Sequence, residues 1–204
     1  MGALALVPWA GVVAVPSSPD GRDVWAVWAS AHQRGGQTLA CSDPWPGAAL
    51  LCFRAPRGER LTLVTTDDLG RWRSDTVALG AEARVALVAR APEIIERLTV
   101  VGTAQTYLRL ADRLGGAALV WLAPEVVAAA AGGIPLQVAV PSEEVALVWR
   151  HGDPELDLIL AVGAVDLFDA AGARGVSKAV WTWDGKHWFP LGEAVRPDPP
   201  TAKP

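Results

Sequence analysis

Hydrophobic and polar positions along this chain predict short strands in pairs, interrupted by a few helical stretches. Residues 11 to 15 and 24 to 28 are β-branched and aromatic runs separated by a cluster of Pro, Ser, Asp and Gly, the pattern of a hairpin. Residues 30 to 47 carry repeated Gly and Pro and predict an irregular, mobile loop. Strands follow at 48 to 53 and 60 to 65. Ser74 is placed as an N-cap before a helix with Val77, Ala81, Val85 and Val88 on one face, stopped by Pro92. Strands are expected at 94 to 101 and 105 to 110. The apolar run 117 to 131 reads as a helix with a kink at Pro124 and a stop at Gly132-Gly133.

The second half has sharper punctuation. Residues 136 to 140 and 145 to 150 form a hairpin turned at Pro141-Ser-Glu-Glu144. Asp153 with Pro154 provides an N-cap and a favourable first helical residue, and Leu156, Ile159, Gly163 and Leu167 trace the buried stripe of a helix closing at Gly172. A last hairpin pairs 179 to 183 with 186 to 189 around Asp184-Gly185, which predicts Trp183 opposite Lys186 and Trp181 opposite Trp188. The expected fold class is therefore α+β: antiparallel β-hairpins forming one or two sheets, with about three helices packed on one face. A single domain over residues 1 to 191 is expected, β-rich up to residue 60, followed by a Pro-rich disordered tail from 192 to 204. The run Ala14-Val-Pro-Ser17 echoes Ala139-Val-Pro-Ser142, each followed by a Val- and Trp-bearing strand.

The order of elements over residues 61 to 191 resembles the uncharacterised bacterial YtpQ-like family, a family of unknown function. The resemblance rests on Leu61 to Leu69 with the alanine-rich stretch Ser74 to Arg90, on Thr106-Tyr-Leu-Arg109 with Leu114 to Ala131, on Val138-Ala-Val-Pro141 with Val145 to Val148, and on Leu156 to Phe168 with Val180 to Phe189. The sequence departs from that pattern at Glu143-Glu144, where relatives carry a basic-acidic pair. The resemblance implies no reaction.

Composition narrows the partners. With 204 residues, 51% hydrophobic and 20% charged, the chain has the material for one core. A formal net charge of -4 and scattered arginines give no basic stripe for nucleic acid. The N-terminal apolar run lacks a basic leader and is broken by Pro8 and Pro16, and 117 to 131 is too short for a bilayer, so no membrane segment and a cytoplasmic location are expected. Cys41 and Cys52 are read as free thiols in a reducing compartment.

Candidate chemistry is sparse. His151, Asp153, Glu155 and Asp157 are the densest set of ligand-type side chains, although cap and helix-dipole roles also account for the acidic members. Asp67 and Asp68 are adjacent carboxylates that can work as an acid and base pair, or equally as turn and helix-start residues. No nucleophile elbow or phosphate loop is present, so neither a metal site nor a cofactor is expected, and the reading leans away from an enzyme. Among the ten tryptophans, Trp181, Trp183 and Trp188 fall on one face of the last hairpin. That face is either core or a stacking platform for a ligand or a protein. The leading function is a non-catalytic binding module recognising a protein or small ligand; the alternative is a hydrolase-like or metal-assisted enzyme using Asp67, Asp68, His151 and Asp153. A homodimer built on an uncovered edge strand at Val12 to Val15 is a third possibility.

Overall fold

The computed structural model describes residues 23 to 31 and 33 to 193. The first predicted strand, half of the Val-Pro echo and most of the Pro-rich tail lie outside them. In chain order the strands and helices are β1 (Trp25–Ala29), β2 (Gln33–Arg34), β3 (Gln37–Thr38), β4 (Cys41–Trp45), β5 (Ala49–Arg57), β6 (Arg60–Leu63), α1 (Thr66–Trp72), α2 (Thr76–Ala89), α3 (Ala91–Ile94), β7 (Ile95–Thr99) and β8 (Thr106–Ala111). Then come α4 (Leu119–Leu122), α5 (Pro124–Ala131), β9 (Leu136–Ser142), β10 (Val145–Arg150), α6 (Pro154–Ala171), β11 (Ala179–Trp183) and β12 (Trp188–Glu193). Every strand pairing is antiparallel.

The α+β class stands, but the layering differs from expectation. There are three sheets among the described residues: β1-β5-β4 with β6 also on β5, a six-stranded sheet in the order β12-β11-β9-β10-β8-β7, and the small β2-β3 ladder. The six-stranded sheet is covered on both faces. Helix α6 packs Leu156, Leu160, Ala164 and Val165 against Ala139, Leu147, Trp149 and Val180. The opposite face, with Leu108, Val138, Val148, Trp181 and Trp183, joins the first sheet and the remaining helical layer in one core. Strand β9 is buried at every residue because both of its faces are covered.

Two helix faces turn out otherwise than the spacing suggested. On α2 the buried residues are Leu79, Ala83, Ala86 and Leu87, while Val77 and Val85 face solvent. This segment is apolar nearly all round, so several stripes satisfy a 3.6-residue period, and the two leucines bury more area than the valines. Its N-cap is Asp75 rather than Ser74, with Oδ1 accepting from the Ala78 N–H at 2.8 Å. On α6 the cap at Asp153 and the end at Gly172 agree with expectation, but Leu160, Ala164 and Val165 replace Ile159, Gly163 and Leu167 in the buried stripe. The run 117 to 131 breaks at Ala123 into α4 and α5, ahead of Pro124.

The stretch 30 to 47, expected to be irregular, contains three strands. Strand β4 lies on β5 with Cys41 opposite Cys52, and the two form a disulfide, which overturns the reading of free thiols. Cysteine spacing alone carried no information on that pairing, because the register of β4 on β5 creates it. Gly115 explains a feature with no chemical role: a Cβ there would sit 1.7 Å from the Ala26 carbonyl oxygen, so only glycine lets this turn close on β1.

The two larger sheets meet through indoles. Trp45 of β4 stacks between Trp28 of β1, at 4.7 Å, and Trp181 of β11, at 5.1 Å, with interplanar angles of 14° and 9°. Replacing Trp45 with alanine is expected to cost about 3–5 kcal/mol of stability, as deletion of a buried aromatic does, measurable by urea unfolding under non-reducing conditions. Unfolded, unreduced protein is expected to present no thiol to a thiol-specific dye; two reactive thiols per chain would contradict the disulfide.

Candidate functional site

The acidic pair at 67 and 68 is a helix cap. Thr65 precedes α1 with its hydroxyl accepting from the Asp68 N–H at 3.3 Å, and Asp68 Oδ2 accepts in return from the Thr65 N–H at 2.9 Å, the reciprocal arrangement of a capping box. Arg57 and Arg71 also close on the Asp68 carboxylate. Burial alone would push this carboxyl up, yet the Thr65 backbone and hydroxyl hydrogen bonds and the two guanidinium groups outweigh it and hold Asp68 below the usual carboxylate range. An acid and base pair needs one carboxyl that stays protonated near neutrality; this one is fixed in its ionised form, and Asp67 is exposed beside it.

His151 and Asp153 sit where β10 runs into α6. Asp153 Oδ1 caps the helix by accepting from the N–H groups of Glu155 and Leu156 at 3.1 and 3.2 Å, and its Oδ2 accepts from the Gln105 side chain. The partner of His151 is not Asp153 but Asp157, one turn into α6, whose Oδ2 lies 3.4 Å from Nδ1. Asp157 Oδ1 accepts the indole N–H of Trp149 at 2.7 Å, and the Gln137 amide also meets Nδ1. The result resembles an oriented His–Asp dyad, and it braces the β10–α6 junction. Neither Asp67 nor Asp68 makes a contact with this group. Among the described residues no three His, Cys, Asp or Glu side chains gather as a metal ion requires.

The last hairpin does place three indoles on one face, in a different register. Trp183 faces Trp188, Thr182 faces Phe189 and Trp181 faces Pro190, around a four-residue loop. Asp184 sets that loop by accepting from both the Lys186 and His187 N–H groups at 2.7 Å, a side-chain turn that displaces the expected two-residue one. Trp181 and Trp183 are buried and Trp188 is half-buried, so this face is core. The Nε1 atoms of Trp45 and Trp181 have no acceptor among the described residues. Ring packing is therefore what holds them in place.

An open surface exists at the edge of this cluster, on a residue that belongs to none of the candidate-site motifs of the sequence. Trp121 of α4 meets Trp45 edge-on at 6.1 Å and Trp188 at 5.8 Å, and is itself half-buried. It borders a cavity of about 370 Å³ between α2, α4 and β5, with Leu51, Phe53 and Leu122 among its apolar walls and Ser42, Thr76 and Arg84 among its polar residues. Gly80 opens it from α2: a Cβ there would only reach Leu122 at 3.7 Å and Phe53 at 4.0 Å. Arg84 Nη2 donates to Glu125 Oε1 at 2.6 Å, tying α2 to α5. A glycine within a helical run was the one sequence signal for this opening.

Replacing Asp68 with asparagine is expected to cost about 0.5–2 kcal/mol at pH 7, the range for a lost cap. Because the native carboxyl titrates below its unfolded value near 3.9, this stabilisation is present above that pH and is lost as pH falls through the lower native value. Urea midpoints of wild type and variant should therefore converge as the pH drops below about 4.

Set against family models, curated proteins and solved structures, the chain matches none of them.

Proposed function

We propose that the chain is a non-catalytic binding module whose ligand is a small apolar or aromatic group lying against Trp121. One observation carries this reading: a cavity of about 370 Å³ with an apolar, aromatic wall and a few polar residues. Those are the size and lining typical of small-ligand sites, where apolar area supplies affinity and a few polar groups fix orientation. Gly80 adds support. Glycine within a helix costs about 1 kcal/mol relative to alanine, and here the missing Cβ leaves added space beside Leu122 and Phe53. The Trp-rich cluster contributes by holding Trp121 rigid, since an indole that is already packed loses little freedom when a ligand stacks on it. The hydrolase-like or metal-assisted alternative has less support, because its four candidate residues divide between two helix starts.

Gly80→Leu tests the reading, since the added side chain grows into the cavity from an accommodating position. With 8-anilinonaphthalene-1-sulfonate as an aromatic probe that carries one sulfonate, wild type is expected to show saturable emission enhancement. Gly80→Leu and Trp121→Ala should each weaken binding by roughly tenfold or more, as loss of a stacking face or of the space itself implies. Gly80→Ala should keep the fold and raise stability by about 1 kcal/mol. Unchanged probe affinity in both Gly80→Leu and Trp121→Ala would overturn the reading.

A further inference from the structure

Side chains alternate along β5, so Leu51 and Phe53 border the Trp121 cavity while Cys52 and Arg54 point to the opposite face of the sheet. A second cavity of about 180 Å³ opens on that side, between β1, β6, the β2–β3 hairpin and the β9–β10 turn. It shares no lining residue with the first. Val27, Leu39 and Leu63 supply apolar walls, backed by the buried Cys52 of the disulfide. Arg34, Arg54 and Glu143 supply the charge.

Those three charges are unequally satisfied. Arg54 Nη2 donates to Glu143 Oε2 at 3.1 Å, and both side chains are largely buried. Arg34 Nη1 stands 3.6 Å from Glu143 Oε1, beyond hydrogen-bond reach, and its side chain is 60% exposed. Among the described residues Arg34 has no other charged partner. One carboxylate between two guanidinium groups leaves one positive charge over, on a planar fork of donors that matches a second carboxylate.

We propose that this cavity binds a small organic monocarboxylate, its carboxylate on Arg34 and its apolar body between Val27, Leu39 and Leu63. Size and charge both select this class. A cavity of roughly 150 Å³ holds benzene, so a benzoate-sized body fits here. Glu143 repels a second negative charge, and Arg34 repels a cation. The two negatives at Glu143-Glu144 then have separate tasks: Glu143 orders the two arginines of the cavity, and Glu144 pairs with Arg174 at 2.9 Å.

Calorimetric titration of the full chain with benzoate and with its neutral isostere benzamide, at low and at moderate salt, tests the proposal. Benzoate is expected to bind roughly tenfold or more tightly than benzamide, and to weaken as salt screens the exposed guanidinium. Arg34→Gln, a change on an exposed short strand, should abolish that preference, with circular dichroism confirming the fold. Glu143→Gln should tighten benzoate binding by leaving both arginines to the ligand. Gly80→Leu should leave it unchanged, which separates this site from the Trp121 cavity. Equal affinity for benzoate and benzamide, retained preference in Arg34→Gln, or no heat with benzoate up to ~10 mM would overturn the proposal.

Discussion

The stack of Trp28, Trp45 and Trp181 joins β1, β4 and β11, strands from two different sheets, and the rest of the core is arranged around it. Offset parallel indoles bury large areas with few rotatable bonds, so three of them define the spacing between sheets more tightly than aliphatic side chains of equal volume. Trp28 extends the constraint to the helical layer, its Nε1–H donating to the Ala117 carbonyl at 3.0 Å just before α4 begins. Trp121, on α4, is therefore positioned twice: through that anchor and by its edge contact with Trp45. A surface that has to present one indole to a ligand gains from such a fixed base.

From that joint the sheet of β1, β5, β4 and β6 divides the molecule's open features. Strand β5 is buried through most of its length, yet its two faces do different work. One borders an apolar cavity with the tryptophans behind it; the other carries the disulfide and the arginine-lined cavity. The register of β4 on β5 sets Cys41 opposite Cys52 for the disulfide, and a slip by one residue there would turn the two sulfurs to different faces. Register thus decides the covalent link, while alternation along β5 decides which of its residues face each cavity.

Much of the element order was legible in the sequence, because turn chemistry and caps are local. Asp153 with Pro154, Gly172 and the breaks at Pro124 and Gly132 all act within one turn of the residues they organise. The buried faces of α2 and α6 were not legible, since both helices carry apolar residues on several sides and only the neighbouring layer chooses among them. The disulfide and both cavities depend on strand order and register, which place residues 41 and 52, or 34, 54 and 143, together across long separations. No spacing rule reaches that far.

Rarity in the sequence pointed to side chains that the fold engages in helix caps and a strand-helix junction, for a physical reason. Histidine and paired carboxylates stand out in a chain poor in them, but an ionised group next to buried structure is stable only when its hydrogen bonds are met. Asp68 is met by Thr65, Arg57 and Arg71, and Asp157 by Trp149 with His151 alongside. Groups so engaged have little interaction energy left for a ligand, and displacing their partners would cost what the cap or the junction contributes. Arg34 is the opposite case. It stands beyond hydrogen-bond distance of a carboxylate already engaged by Arg54, next to a cavity with apolar walls, and among the described residues its donors meet no other charged partner. Incomplete satisfaction beside available space is a better guide to binding than unusual residue type, and it becomes visible only once the fold has assigned partners.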